Sequence, residues 1–228
     1  TETQIRTTSP FKNTISGTDA AVTAAQKDST KYDITAKYLL ELVVTAFALD
    51  YAPAVTLQWA ASGRNHISGN KLTDYRYQFM PLLEVKGAGE HALAHPENAD
   101  FINAGYRITG AQSTRDRVRI RRWFFEQMKT VLDRLSSIPD GAGTLFDHTT
   151  VLHTSEYGGP NSNSARGQHS NQNLPYMTVA GAETPFKGGQ SLKVSRNHGD
   201  YLLTLAQGFG STATTMGVGT KPIDGILK

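Results

Sequence analysis

His91 and His95 stand four residues apart, and on a helix that spacing sets both imidazoles on one face, where neutral ring nitrogens can share a metal ion as in many zinc sites. The metalloprotease form of the pattern has glutamate directly after its first histidine. Here Glu90 precedes His91 and Ala92 follows it, so that motif is absent, and the same spacing equally suits surface or capping histidines. Glu156 is the second group of interest. It follows a β-branched run and lies beside Gly158 and Gly159, whose backbone freedom lets a loop approach a ligand closely. A carboxylate there suits a hard or borderline cation or general-base work; it also suits a helix cap or an ion pair with Arg166. His169 sits in a loop rich in Ser, Asn and Gln before another apolar run, from which its imidazole can turn toward Glu156.

These residues define the candidate site. His91, His95, Glu156 and His169 are the candidate metal ligands, with zinc or calcium the divalent ion expected. Asn161, Asn163 and Arg166 are the candidate ligand-binding residues. The asparagines, with Asn171 and Asn173, can donate to phosphate, sulfate or sugar oxygens, or can satisfy their own loop backbone. His148, His153 and His198 complete the reactive set; His153, inside an expected strand, reads as a hydrogen-bonded core residue. No Gly-x-Ser-x-Gly elbow, phosphate-cradling loop or dinucleotide fingerprint is present, which disfavours serine-hydrolase, P-loop and Rossmann chemistry.

The elements that must position these groups follow from hydrophobic spacing. Leu39, Leu40, Val43, Val44, Phe47 and Ala48 recur at helical intervals over Ile34 to Leu49, and Asp50 and Pro53 end that helix. Ala54 to Ala60 reads as a short strand, Ser62 to Asn70 as a loop, and Asp100 to Gly110 is ambiguous. Ser113 to Ser137 predicts a second helix, apolar at Ile120, Trp123, Phe124, Met128, Val131, Leu132 and Leu135. Its other side holds Arg115, Arg117, Arg119, Arg121 and Arg122, a solvated face in preference to a nucleic-acid groove. After the turn at Ile138 to Gly143, Thr149 to Thr154 and Leu174 to Ala180 read as strands, with a last helix over Gly199 to Gln207 and a Gly- and Thr-rich tail. Such alternation is α/β grammar. In open parallel sheets ligands gather at the carboxyl edge of the strands, which directs attention to the residues just after Thr154.

Composition narrows the classes. A net charge of +3 is too small to imply a nucleic-acid or membrane surface, and no apolar run approaches the roughly 20 residues of a membrane helix. The absence of cysteine removes disulfides, thiolate metal sites and cysteine nucleophiles. Residues 1–31 have few large apolar side chains and read as an extended arm, and 32–228 as a single α/β domain. A chain that begins at Thr1, with no initiator methionine and no signal segment, reads as a processed product or fragment.

Several of these segments occur in a recognisable order. They are the helix Lys37 to Asp50 with Ala54 to Ala60, Gly89-x-His91-x-x-x-His95, the helix Arg117 to Ile138 with Pro139-Asp140-Gly141-Ala142-Gly143-Thr144-Leu145, the strand Thr149 to Ser155, and Asn173-Leu174-Pro175 with Ala180-Gly181. From Tyr32 to Leu227 the chain resembles the C-terminal half of an exported bacterial family called domain of unknown function 1552, a distant relative of the alkaline phosphatase and sulfatase superfamily. The resemblance implies a three-layer α/β/α sandwich with a metal site at the strand ends, an export signal and an N-terminal half beyond this chain, and a periplasmic or secreted location. In that superfamily an Asp-His pair follows a strand ending Thr-Ser; here Thr154-Ser155 is followed by Glu156 and Tyr157. Glu156 can replace the aspartate as an oxygen ligand, whereas Tyr157 is a poor substitute for an imidazole and counts against a two-metal centre. His169 matches the histidine before the next strand, and His91 or His95 matches another ligand-bearing turn.

The resemblance implies a metal-dependent hydrolase of phosphate or sulfate esters whose nucleophile comes from the other half or from a second polypeptide. The alternative is a non-catalytic exported subunit that keeps the fold for assembly. Nucleic-acid binding through the arginines of the second helix is a third, lesser reading.

Overall fold

The computed structural model describes residues 32–57, 67–68, 71–72, 100–103, 106–155 and 173–228. Within these the chain is a mixed α/β protein whose sheets are all two-stranded. It divides into two compact units, one formed by Thr1–Pro139 with Ser162–Gln168 and the other by Asp140–Asn161 with His169–Lys228.

In the first unit, helix α1 (Tyr32–Ala48) and helix α2 (Gly110–Ser136) pack together. The apolar spacing decides which faces meet. Ala36, Leu40 and Val44 form an i, i+4 stripe on α1, and Ile120, Trp123, Phe124, Val131 and Leu135 recur at three- and four-residue steps on α2; all are buried. Glu41 lies in the same buried stripe of α1, a position a carboxylate occupies at high desolvation cost unless it is paired. Arg134 of α2 supplies the pair as a fork, with Nε donating to Oε1 at 2.9 Å and Nη2 donating to Oε2 at 3.3 Å. Two arginines of the run on α2 have a carboxylate one turn away, Arg122 with Glu126 at 2.8 Å and Arg119 with Asp116 at 3.8 Å.

Strand β1 (Ile67–Ser68) pairs antiparallel with β2 (Lys71–Leu72). The segment with ambiguous periodicity is an antiparallel pair, β3 (Asp100–Asn103) and β4 (Tyr106–Thr109), running directly into α2. The strand expected over Ala54 to Ala60 is a correction: residues 54–57 are irregular and Ala54 to Thr56 are exposed, and 58–60 lie outside the described residues. A β-branched run needs a partner strand to become one, and among the described residues none pairs with 54–57.

The chain enters the second unit through a small hairpin of β5 (Pro139–Asp140) and β6 (Gly143–Thr144), with Gly141 at φ 58° in its turn. Asp147 closes this turn. Its Oδ2 accepts from the Thr144 amide and hydroxyl, both at 2.8 Å, and these two bonds hold the carboxyl below its ordinary range. Strand β7 (Thr150–Thr154) then pairs with β8 (Tyr176–Ala180), and helix α3 (His198–Gly208) follows. The pairing is antiparallel, with Thr150 opposite Ala180 and Thr154 opposite Tyr176. The parallel arrangement used to argue for the carboxyl edge of the strand ending at Thr154 therefore does not describe this pair. The carboxyl end of β7 lies beside the amino end of β8, so residues 155–175 leave and return at one edge. No described helix is long and apolar enough to cross a membrane.

The ion pair between α1 and α2 gives a direct test. Truncating one partner leaves the other charge largely desolvated, so Glu41→Ala is expected to cost about 2–3 kcal/mol, read as a lower urea midpoint. The double variant Glu41→Leu/Arg134→Met is expected to recover most of that loss.

Candidate functional site

The edge where β7 ends and β8 begins is the best-defined place for chemistry among the described residues. Thr154 and Tyr176 face each other in register, and the Thr154 hydroxyl donates to the Pro175 carbonyl at 3.0 Å, so both ends of the 155–175 connection are tied together. Side chains alternate along a strand, which puts Tyr176 and Thr178 on one face of β8. Helix α3 meets that face. The Tyr176 ring stacks on the His198 ring, centroids 5.6 Å apart and planes 27° apart, and lies 4.2 Å from the Tyr201 ring. The Tyr176 hydroxyl is hydrogen-bonded to Nδ1 of His198, and the Thr178 hydroxyl to that of Tyr201. Burial pushes the Tyr201 phenol up, against the opposing pull of the Thr178 bond. His198, by contrast, is exposed.

The local sequence explains why His198 sits here. Asn197 caps α3, its Oδ1 accepting from the Asp200 amide at 2.9 Å, an arrangement worth about 1 kcal/mol. Asp200, almost fully buried in the first turn, anchors the helix to the C-terminal tail. Its Oδ1 accepts from the Thr220 amide at 3.0 Å and the Lys221 amide at 3.1 Å, while Oδ2 accepts from Arg196 Nε at 3.0 Å. Burial works against the charged form, but the Lys221 amide, the Arg196 guanidinium and the Thr220 amide together outweigh it and hold the carboxyl at about 2. Gly199 is needed for close approach, because a Cβ there would lie 2.4 Å from the Met216 carbonyl oxygen.

All seven residues expected to form the site, His91, His95, Glu156, Asn161, Asn163, Arg166 and His169, lie outside the described residues. Five of them fall in the connection whose two ends meet at Thr154 and Tyr176. Among the described residues no group of three or more His, Cys, Asp or Glu could hold a metal ion. Three imidazoles and one carboxylate are a donor set suited to zinc, whereas calcium takes six to eight oxygens. Of the other histidines, His148 is exposed with Nε2 3.9 Å from Asp140 Oδ2, and His153 is half-buried on β7 opposite Met177.

Tyr176, Thr178 and Tyr201 were not singled out by sequence, and His198 was singled out without a partner. The usable signal was positional: a tyrosine opening a strand and a histidine opening a helix can meet only if the helix crosses that strand end.

The Asp200 clamp makes acid stability its readout. The folded carboxyl titrates at about 2, below its ordinary 3.8, so its stabilisation is complete above about pH 4 and is lost as pH falls through about 2. Asp200→Asn is expected to flatten the pH dependence of unfolding over that window in urea titrations, and Asp147, also held low, contributes to the slope that remains. Compared with known proteins, the chain matches no protein-family model, no curated protein and no solved structure.

Proposed function

We propose that this protein is part of an exported metal-dependent hydrolase of phosphate or sulfate esters, built on an alkaline-phosphatase-like three-layer sandwich of which this chain is the C-terminal half. One observation carries the reading. The antiparallel pairing of Thr154 with Tyr176 brings the two described ends of the 155–175 connection to one edge of the β7–β8 pair, and the sequence of that connection bears Glu156, Arg166 and His169. His91, His95, Glu156 and His169 would hold the ion, which when bound supplies Lewis-acid polarisation of the ester. Asn161, Asn163 and Arg166 would bind the ester oxygens, and the nucleophile would come from the remaining half or a second chain.

A second reading, a non-catalytic assembly subunit, draws on the outer face of α2. Val118 and Phe125 are 62% and 40% exposed there, bordering a shallow groove with Arg121, Arg122, Glu126 and Lys129. Apolar side chains framed by charge are common in contact surfaces.

Metal analysis of the purified protein separates these readings. The hydrolase reading expects a bound divalent ion, zinc in preference to calcium, that is lost in Glu156→Ala and in His169→Ala. Metal content unchanged by both substitutions would remove it. Native mass measurement on material from the source is expected to show a stoichiometric second polypeptide; a stable monomer would contradict the assembly reading.

A further inference from the structure

We infer that the outer edge of β7 takes up a β-strand of a second polypeptide, a strand that is uncharged, apolar on both faces and accompanied by further cover for the sheet. Such a partner is called for by the β7–β8 ladder itself, whether or not the chain binds a metal.

Neither strand contains Lys, Arg, Asp, Glu or Pro, the residues with which natural sheets commonly blunt an exposed edge. Cross-strand pairing sets Val151 opposite Val179 and His153 opposite Met177 on one face, and Leu152 opposite Thr178 and Thr154 opposite Tyr176 on the other. Both faces thus carry apolar side chains, the pattern of a strand covered on two sides inside a larger sheet. The surroundings do not match that pattern. No residue of either strand is buried, and Leu152, in the middle of β7, is 36% exposed. A two-stranded ladder is marginal by itself, and a third strand is the usual remedy.

The alternation of ladder bonds identifies the open edge. The Gly181 amide donates to the Thr149 carbonyl at 3.0 Å, so the bonds to β8 fall at Thr149, Val151 and His153, and the backbone groups of Thr150, Leu152 and Thr154 point outward. Among the described residues no backbone group meets those three. They lie on the more open strand, because Leu152 and Thr154 are exposed whereas every residue of β8 is partly covered. The occupant follows from the faces. Helix α3 lies on the Tyr176 and Thr178 face. Two copies of this chain paired antiparallel at β7 would be related by a two-fold axis perpendicular to the sheet, which keeps both α3 helices on that one face and leaves Val151, Met177 and Val179 no better covered. A different polypeptide that supplies a strand together with an apolar layer covers both. Its strand must be uncharged, because a charge set beside Val151 or Leu152 would be desolvated without a partner.

Residue-resolved amide hydrogen exchange tests this on two samples, the isolated chain and the complex that native mass measurement identifies in material from the source. In the isolated chain the Thr150, Leu152 and Thr154 amides are expected to exchange readily while those of Val151 and His153 are protected; in the complex the three outward amides are expected to slow by roughly tenfold or more. Leu152→Lys is expected to abolish association and to leave the circular dichroism and urea midpoint of the isolated chain unchanged. Outward amides already slow in the isolated chain would overturn the inference, as would a complex in which they exchange as fast as in the isolated chain, a monomer in the source material, or a folded Leu152→Lys that still associates. Self-association of the pure chain that slows the same amides would overturn it in favour of a second copy. Should Leu152→Lys not fold, the exchange comparison on the unsubstituted protein decides. Metal content unchanged by Glu156→Ala and His169→Ala removes the hydrolase reading alone, and outward amides left unprotected in the complex remove this inference alone.

Discussion

The second unit is organised around a carboxylate that ought not to be charged where it is. Asp200 is nearly inaccessible to water, and burial of an ionised carboxyl is among the largest penalties a fold can incur. The penalty is met by two backbone amides from the tail and one guanidinium, which together make ionisation more favourable than in water. Those partners come from Arg196, before the helix, and Thr220 and Lys221, after it. A single side chain thus joins its own helix to two other stretches of chain, and the neighbouring Thr204 extends the arrangement by donating to the Asp200 carbonyl and accepting from the Ile223 amide. The end of the chain continues this strap along Pro185 to Lys187, with Lys228 N–H bonded to the Pro185 carbonyl and Phe186 bridged to Leu227.

The consequence for function is mechanical. The N-terminus of α3 has little freedom, because its first turn is capped by Asn197, clamped at Asp200 and closed off at Gly199. His198 lies within that turn and so inherits a defined position against Tyr176 and the end of β8. An exposed side chain usually samples several rotamers; this one has its ring stacked and one nitrogen bonded. The order at this exposed histidine arises from a structural charge two residues away.

Much of the helical part of this architecture was legible in the sequence, and the reason is local. Leu40, Val44, Ile120, Trp123, Val131 and Leu135 announce buried helix faces through spacing alone, and the last helix, expected over Gly199 to Gln207, runs one residue further at each end. The strands at Thr150–Thr154 and Tyr176–Ala180 were legible for the same reason, to within two residues. Direction of pairing was not, because parallel and antiparallel strands bury the same residue types, and the register of Thr154 with Tyr176 depends on how 155–175 returns. Val55 carried a strand signal without a strand, since β-branching states a preference that only a partner can satisfy. The Glu41–Arg134 and Asp200–Arg196 pairs were equally invisible: nothing in the composition around Glu41 distinguishes it from a solvated helix residue. The candidate site was read from residue types and a resemblance, and what the fold added was a different histidine, His198, with its tyrosine.

The dependence of the His198 position on the Asp200 carboxylate is best tested by amide hydrogen exchange and ring-to-ring nuclear Overhauser effects in Asp200→Asn. The account predicts that the Thr220 and Lys221 amides lose protection and that the Tyr176–His198 ring contacts weaken, while the β7–β8 amides stay protected. Full protection at Thr220 and Lys221, with the ring contacts intact, would contradict it.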